Sequence, residues 1–178
     1  YDALGYPQTI HWYRADNSLE STVQLSHDAA GNLLSVSSDG IEVLRSYDAM
    51  NRLTFIHIPV LNRQIHLELD GDGRRLSRML LNTSDQSFEL TQYSYDTAGR
   101  LSEIRDGELL TRLSYTPAGR ISQILYPNGI LKNSTYDSYG RLSNLTYSIN
   151  SQILQTQAFD YDSDGRKIRE HSENGTTS

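Results

Sequence analysis

Residues 95–104 read YDTAGRLSEI, and this ten-residue phrase recurs through the chain. Clear copies are YDSYGRLSNL from Tyr136, YTPAGRISQI from Tyr115 and YDAMNRLTFI from Tyr47. Weaker ones are YDALGYPQTI from Tyr1, HDAAGNLLSV from His27, LDGDGRRLSR from Leu69 and YDSDGRKIRE from Tyr161. Eight copies in 178 residues place units near positions 1, 27, 47, 69, 95, 115, 136 and 161. A unit of this length repeated in series marks an architecture built by addition, in which neighbours bury each other's apolar faces. The whole chain, 1–178, reads as one such array and as a piece of a longer protein.

Each copy carries its own local instructions. Before the phrase, Tyr93 and Tyr95 alternate with Gln92, Ser94 and Asp96, the period-2 pattern of a half-buried strand. Leu67 and Leu69, Leu113 and Tyr115, and Phe159 and Tyr161 do the same. The D-x-x-G that follows is turn chemistry. Asp96 can accept backbone N–H groups of its own turn, and Gly99 can take the positive φ of a bulged hairpin. Arg100-Leu101 then begins the return strand. At the opposite end of the shorter units, Asp39-Gly40, Asp106-Gly107 and Asn128-Gly129 read as two-residue hairpin turns. Two turn signals alternating in this way predict an all-β, up-and-down meander of roughly sixteen strands with essentially no helix.

Two regularities refine that expectation. Leu101 and Ile104, Ile121 and Ile124, and Leu142 and Leu145 are three apart, which strict alternation would send to opposite faces. Either a bulge re-aims one of each pair, or both faces carry apolar side chains. The steps between units are 26, 20, 22, 26, 20, 21 and 25 residues, so a long unit recurs every third repeat. The surplus falls in the polar stretches Ala15–Ser18, Asn82–Ser87 and Ser148–Ser151, predicting that every third hairpin is the longer one.

The phrase Y-D-x-x-G-R-L-x-x-I closely resembles the YD repeat of the RHS family, which includes bacterial Rhs proteins, the B and C components of insecticidal toxin complexes, wall-associated proteins and teneurins. The resemblance covers nearly the whole chain. It implies a β-sheet strip that spirals into part of a hollow shell, which in the bacterial toxins encloses a C-terminal toxin and in teneurins displays adhesive surfaces. The family's motif positions carry over as Tyr47, Asp48, Asn51 and Arg52; Tyr95, Asp96, Gly99 and Arg100; Tyr115, Gly119 and Arg120; Tyr136, Asp137, Gly140 and Arg141; and Tyr161, Asp162, Gly165 and Arg166. The resemblance gives all of them structural roles. Departures are His27 and Leu69 for Tyr, Thr116 for Asp, Asn51 for Gly, and Tyr6 and Asn32 for Arg. Asn tolerates the left-handed conformation, so the Asn51 turn is expected to survive. No counterpart is seen of the aspartyl-protease-like segment of self-cleaving Rhs cores, nor of a toxin domain.

Composition narrows the function classes. A net charge of −6 with Lys and Arg dispersed, and no basic stripe, argues against nucleic acid as a partner. The absence of cysteine excludes disulfides and thiolate metal sites, and no apolar run approaches the length of a membrane span. Asp160, Asp162, Asp164 and Gly165 spell the opening of a calcium loop, but His171 stands where the bidentate Glu belongs, and Asp70-Gly71-Asp72-Gly73 is ambiguous in the same way. An ordinary acidic turn is the plainer reading. His11, His27, His57, His66 and His171 lack zinc-ligand spacing, and His27 is expected to pack in its Tyr position. No nucleophile elbow, phosphate loop or H-E-x-x-H motif is present. The Glu68/Asp70 pair is of the kind alternating strands produce routinely.

Twelve tyrosines against three phenylalanines and one tryptophan suit a half-wet sheet face, and suit sugar stacking as well. Arg100, Arg120, Arg141 and Arg166, directly after the turn Gly, are expected to pair with Asp residues of neighbouring turns as a register-setting ladder, with Arg120→Ala costing little. Asn82-Thr83-Ser84, Asn133-Ser134-Thr135, Asn144-Leu145-Thr146 and Asn174-Gly175-Thr176 match the glycosylation pattern, which matters only in a eukaryotic source; regular repeats and absent cysteine favour a bacterial one.

The resulting expectation is a non-enzymatic shell segment, secreted or at the cell surface, without cofactor, catalytic or metal residues. Its partners would be the rest of its own shell, an enclosed C-terminal toxin or effector domain and a delivery component. The alternative is an extracellular adhesion module that binds surface glycans or a protein.

Overall fold

The computed structural model describes residues 1–174, so the Asn174-Gly175-Thr176 sequon runs outside the described residues. It is all-β apart from one 3-10 turn at Pro59–Leu61. The strands are β1 (Thr9–Tyr13), β2 (Leu19–His27), β3 (Leu33–Ser38), β4 (Ile41–Tyr47), β5 (Leu53–Ile58), β6 (Arg63–Leu69), β7 (Arg75–Asn82), β8 (Phe88–Tyr95), β9 (Leu101–Asp106), β10 (Leu109–Tyr115), β11 (Ile121–Leu125), β12 (Leu131–Tyr136), β13 (Leu142–Ile149), β14 (Gln152–Tyr161) and β15 (Lys167–Asn174). They form one antiparallel sheet in chain order, open at β1 and β15. The count is fifteen where about sixteen were expected, because the first copy supplies a turn and only the strand that follows it. Two compact units divide the chain, Tyr1–Gln92 and Tyr93–Ser178.

Every D-x-x-G turn is built alike. In the copy at Thr116, the Gly119 N–H donates to the Thr116 carbonyl (2.9 Å) and the Thr116 N–H to the Arg120 carbonyl (2.7 Å). Gly119 sits at φ +79°. Immediately beyond, the pairing shifts by one residue: Ser114 faces Gln123, but Tyr115 faces Ile121. Ser122 is the extra residue of a β-bulge. The same shift follows at Ser46/Tyr47, Thr135/Tyr136 and Asp160/Tyr161. It answers the three-apart spacing. Ile124 faces Leu113 and Ile121 faces Tyr115, so the bulge returns both isoleucines to the tyrosine face. Leu142 and Leu145 are matched to Tyr136 and Ser134 in the same manner.

Turns at the other strand ends vary more. Asp39 (φ +50°) and Gly40 (φ +78°) form the expected two-residue turn between Ser38 and Ile41. The other two expectations are corrected. Asp106 pairs with Leu109, so the loop there is Gly107-Glu108, with Gly107 at φ +58°. Asn128-Gly129 belongs to a four-residue turn: Gly129 N–H donates to the Tyr126 carbonyl and Tyr126 N–H to that of Ile130. Pro127 is the reason. Its fixed φ suits the second position of such a turn, and it has no N–H for a ladder.

Strand lengths follow the expected period at the second and third long units, while in the hairpin around Ala15–Ser18 only β2, with 9 residues, is long and β1 has 5. Both β7 and β8 have 8 residues, and β13 and β14 have 8 and 10, whereas β3 to β6 and β9 to β12 have 5 to 7. Among the described residues no hydrophobic side chain is fully buried, and the most enclosed side chains are the small polar Thr91, Ser134 and Ser148. A single layer has no interior; its apolar groups are half-covered by neighbours along and across strands.

A Cβ at Gly119 would meet nothing within 4 Å, so a side chain there feels only the backbone. We expect Gly119→Ala to cost about 1–2 kcal/mol through the left-handed conformation alone. Chemical denaturation would measure it, and a neutral result would contradict the turn geometry.

Candidate functional site

The repeat residues converge on the rim of D-x-x-G turns. Each turn aspartate first closes its own loop. Asp96 Oδ1 accepts the N–H groups of Ala98 and Arg100, both at 2.9 Å. Asp48, Asp70 and Asp137 do the same, and each offers Oδ2 to the guanidinium of its own turn: Arg52 Nε at 2.7 Å, Arg74 Nε at 2.6 Å, Arg141 Nε at 2.7 Å, and Arg100 Nε on Asp96 at 2.8 Å. This corrects the expected ladder. The Asp–Arg pairs lie within a turn, because a residue four along a tight turn is nearer than any on the next rung.

What crosses from turn to turn is different chemistry. Arg52 Nη1 donates to the carbonyl of Asp70 (2.8 Å), and Arg141 Nη1 to that of Asp162 (3.0 Å), each one repeat on. The guanidinium also covers the next tyrosine: Arg100 lies 4.5 Å from the centroid of Tyr115, Arg120 5.7 Å from Tyr136 and Arg141 4.7 Å from Tyr161. In return the tyrosine hydroxyl reaches back one repeat. Tyr47 Oη donates to the Leu33 carbonyl (3.0 Å), Tyr115 to Leu101 (2.7 Å), Tyr136 to Ile121 (2.7 Å) and Tyr161 to Leu142 (2.9 Å). Those carbonyls open the bulged return strands, where the ladder is interrupted. Arg120 has Thr116 in place of a carboxylate, and is exposed.

Two departures from the phrase are matched by a second one across these contacts. A Cβ on Gly140 would meet the Arg120 guanidinium, so the Arg lies flat on the next turn's glycine. Where the next turn has Asn51 (φ +60°), the Arg position holds the shorter Asn32, whose Nδ2 donates to Asn51 Oδ1 at 2.8 Å. Where the next ring is His27, the Arg position holds Tyr6, stacked on it at 5.1 Å and against Gly31. His27 therefore packs in the tyrosine position, with its Nδ1 buried and unpartnered.

Arg45 and Arg78 sit half-buried on the tyrosine face, each with a buried nitrogen that lacks a partner, and Arg78 Nη2 reaches Thr91 Oγ1 at 3.3 Å. The alternation Val43-Arg45-Tyr47 carried that signal. Among the described residues, no three His, Asp or Glu side chains converge as a metal-ligand set. Asp162 Oδ1 is occupied by the N–H groups of Asp164 and Arg166, and Asp160 lies 3.9 Å from Arg169. No helix among the described residues is long and apolar enough to cross a membrane.

No protein-family model matches the chain, and no curated protein matches it. Solved structures do superpose on it. They include TcdB2-TccC3 (15% identity, 95% of this chain and 14% of that one, TM-score 0.40). Another is TcdB2-TccC3-TEV (14%, 94% and 12%, TM-score 0.40). The Tc holotoxin pore of Photorhabdus luminescens is similar at 15% identity, over 97% of this chain and 12% of that one, with TM-score 0.40. The chain thus spans about an eighth of their length, and a superposition at this level assigns no role to any residue here.

Two predictions follow from the turn geometry. Asn32→Arg alone should destabilise, because the longer side chain meets Asn51, while Asn32→Arg with Asn51→Gly should recover most of the loss. Additive effects in that double-mutant cycle would contradict the pairing. The carboxyls of Asp28, Asp48, Asp70, Asp96 and Asp137 are all held below the usual carboxylate range. The largest cause is the side-chain bond from Asn32 at Asp28 and from Arg100 at Asp96, and the Arg52 backbone N–H at Asp48. At Asp70 and Asp137 desolvation is the largest influence and pushes upward, but the bonds from Arg74 and Arg141 together outweigh it. Depressed folded-state values mean stability that is present above the ordinary value of about 4 and lost as pH falls through the lowered ones. The urea midpoint should therefore drop below about pH 4, and by less in Asp96→Asn; a flat profile would contradict this.

Proposed function

We propose that this chain is a wall segment of an RHS/YD-repeat shell that encloses a C-terminal toxin or effector cargo for secretion or delivery. The observation that carries the reading is the turn-to-turn stitching, Arg onto the next carbonyl and ring, Tyr back onto the preceding carbonyl. Motif residues spent on holding one repeat to the next make a sheet that extends by addition, as a wall requires. The carboxylates of Asp96 and Asp137 are committed to the Arg of their own turn and to backbone N–H groups. The segment is therefore read as non-enzymatic, acting by sequestration.

In this reading the protein is bacterial and is exported or displayed at the cell surface. Its partners are the remainder of its own shell, the enclosed domain and a delivery component. A cargo kept behind a sheet stays away from the cytosol until release.

Limited proteolysis of the full-length protein, with its C-terminal region followed by mass spectrometry, tests the proposal. Survival of that region until the repeats are denatured supports enclosure. Its immediate digestion while the repeats persist would overturn the container and favour an adhesive module.

A further inference from the structure

One interval between turns differs from the rest. A hollow of about 450 Å³ opens between the turns at Asp137 and Asp162, lined by Tyr139, Arg141, Tyr161, Asp162, Ser163 and Asp164. Tyr139 stands at the apex of its turn and is 81% exposed. The equivalent apex residues of the two preceding turns are Ala98 and Ala118. The turn itself needs no ring there: the Tyr139 N–H donates to Asp137 Oδ1 at 2.9 Å, as Ala98 N–H does to Asp96. Arg141 lies between two rings, 5.0 Å from Tyr139 and 4.7 Å from Tyr161, which steadies the outer one.

The polar side of the hollow is also atypical. In the turns of Asp48, Asp70, Asp96 and Asp137, Oδ2 accepts the Nε of the turn's own Arg. At Asp162 that bond is not made. Arg166 turns instead to Asp164, at 3.3 Å and largely exposed to water. Among the described residues Asp162 Oδ2 has no partner, since only Oδ1 accepts the Asp164 and Arg166 N–H groups. The hollow thus combines an exposed aromatic plate, a carboxylate oxygen without a donor, a second exposed carboxylate and the Ser163 hydroxyl.

We propose that this hollow is a binding site for a neutral hexopyranose unit of a glycan. The apolar C–H face of a pyranose stacks on a tyrosine ring, and its hydroxyls supply the donor that Asp162 Oδ2 lacks, with Asp164 as a second, exposed acceptor beside Arg166. A shallow concavity with one apolar plate and a few convergent polar groups suits one sugar ring. An anionic sugar fits less well, because Arg141 is already neutralised by Asp137 at 2.7 Å and the remaining carboxylates would repel it. The site does not depend on the container reading, since a wall segment with or without cargo would carry it.

NMR titration of the full chain with mannose, glucose, galactose and N-acetylglucosamine tests the assignment. One of these should shift the resonances of residues 139 and 161–165, with a Kd in the millimolar range, about 1–10 mM. Tyr139→Ala should weaken binding at least about fivefold and Tyr139→Phe should preserve it, both with an unchanged Tm because the side chain is exposed. Asp164→Asn should weaken it as well. No shifts with any of the four sugars, or shifts indifferent to Tyr139→Ala, would overturn the proposal. So would a sugar-free titration in which calcium chloride alone moves these resonances and the sugars do not, which would make the hollow a cation site.

Discussion

The contact between one turn and the next is the constraint on which the rest of this structure depends. A turn aspartate closes its own loop, and its second oxygen holds the guanidinium of the same turn in place. Held there, the guanidinium reaches the next turn's carbonyl and covers the next tyrosine, whose hydroxyl in turn caps the carbonyl exposed at the bulge behind it. Glycine in the turn is needed for its positive φ, and at Gly140 also for the close approach of the Arg120 guanidinium. Changing one member strands the others. That is why Asn32 accompanies Asn51, and Tyr6 accompanies His27.

A single layer makes these contacts matter more than they would in a two-layer protein. With no fully buried hydrophobic side chain among the described residues, apolar burial is spread thinly along the sheet. The exposed aspartate–arginine pairs are individually weak. Their weight comes from position, because they fix the register of strands that otherwise resemble one another.

Much of the fold was legible because turn chemistry is local. D-x-x-G needs only its own four residues, and the Asp39-Gly40 turn only two, so both could be read directly. The longer hairpins β7–β8 and β13–β14 could be read from spacing alone, whereas the short β1 could not. What could not be read is what depends on the distance between rungs. The sequence names Arg141 but not whether Asp137 or Asp162 is nearer; the structure gives the first its carboxylate and the second its carbonyl. Asn128-Gly129 reads as a two-residue turn when taken alone, but Pro127 makes it a four-residue one, and only the bulge places the three-apart leucines. The hollow beside Tyr139 left a faint trace, an aromatic at a turn apex, whose meaning depends on the free oxygen of Asp162 one repeat away.

Stability passes between adjacent repeats through the Arg–carbonyl and Tyr–carbonyl contacts. Native-state hydrogen exchange on the chain and on Arg141→Ala measures this most directly. Amide protection should fall in β12 to β15, which flank the lost contact, while β2 to β6 keep theirs. A uniform loss along every strand would contradict it, and would mean that the sheet opens as one cooperative body instead of one repeat at a time.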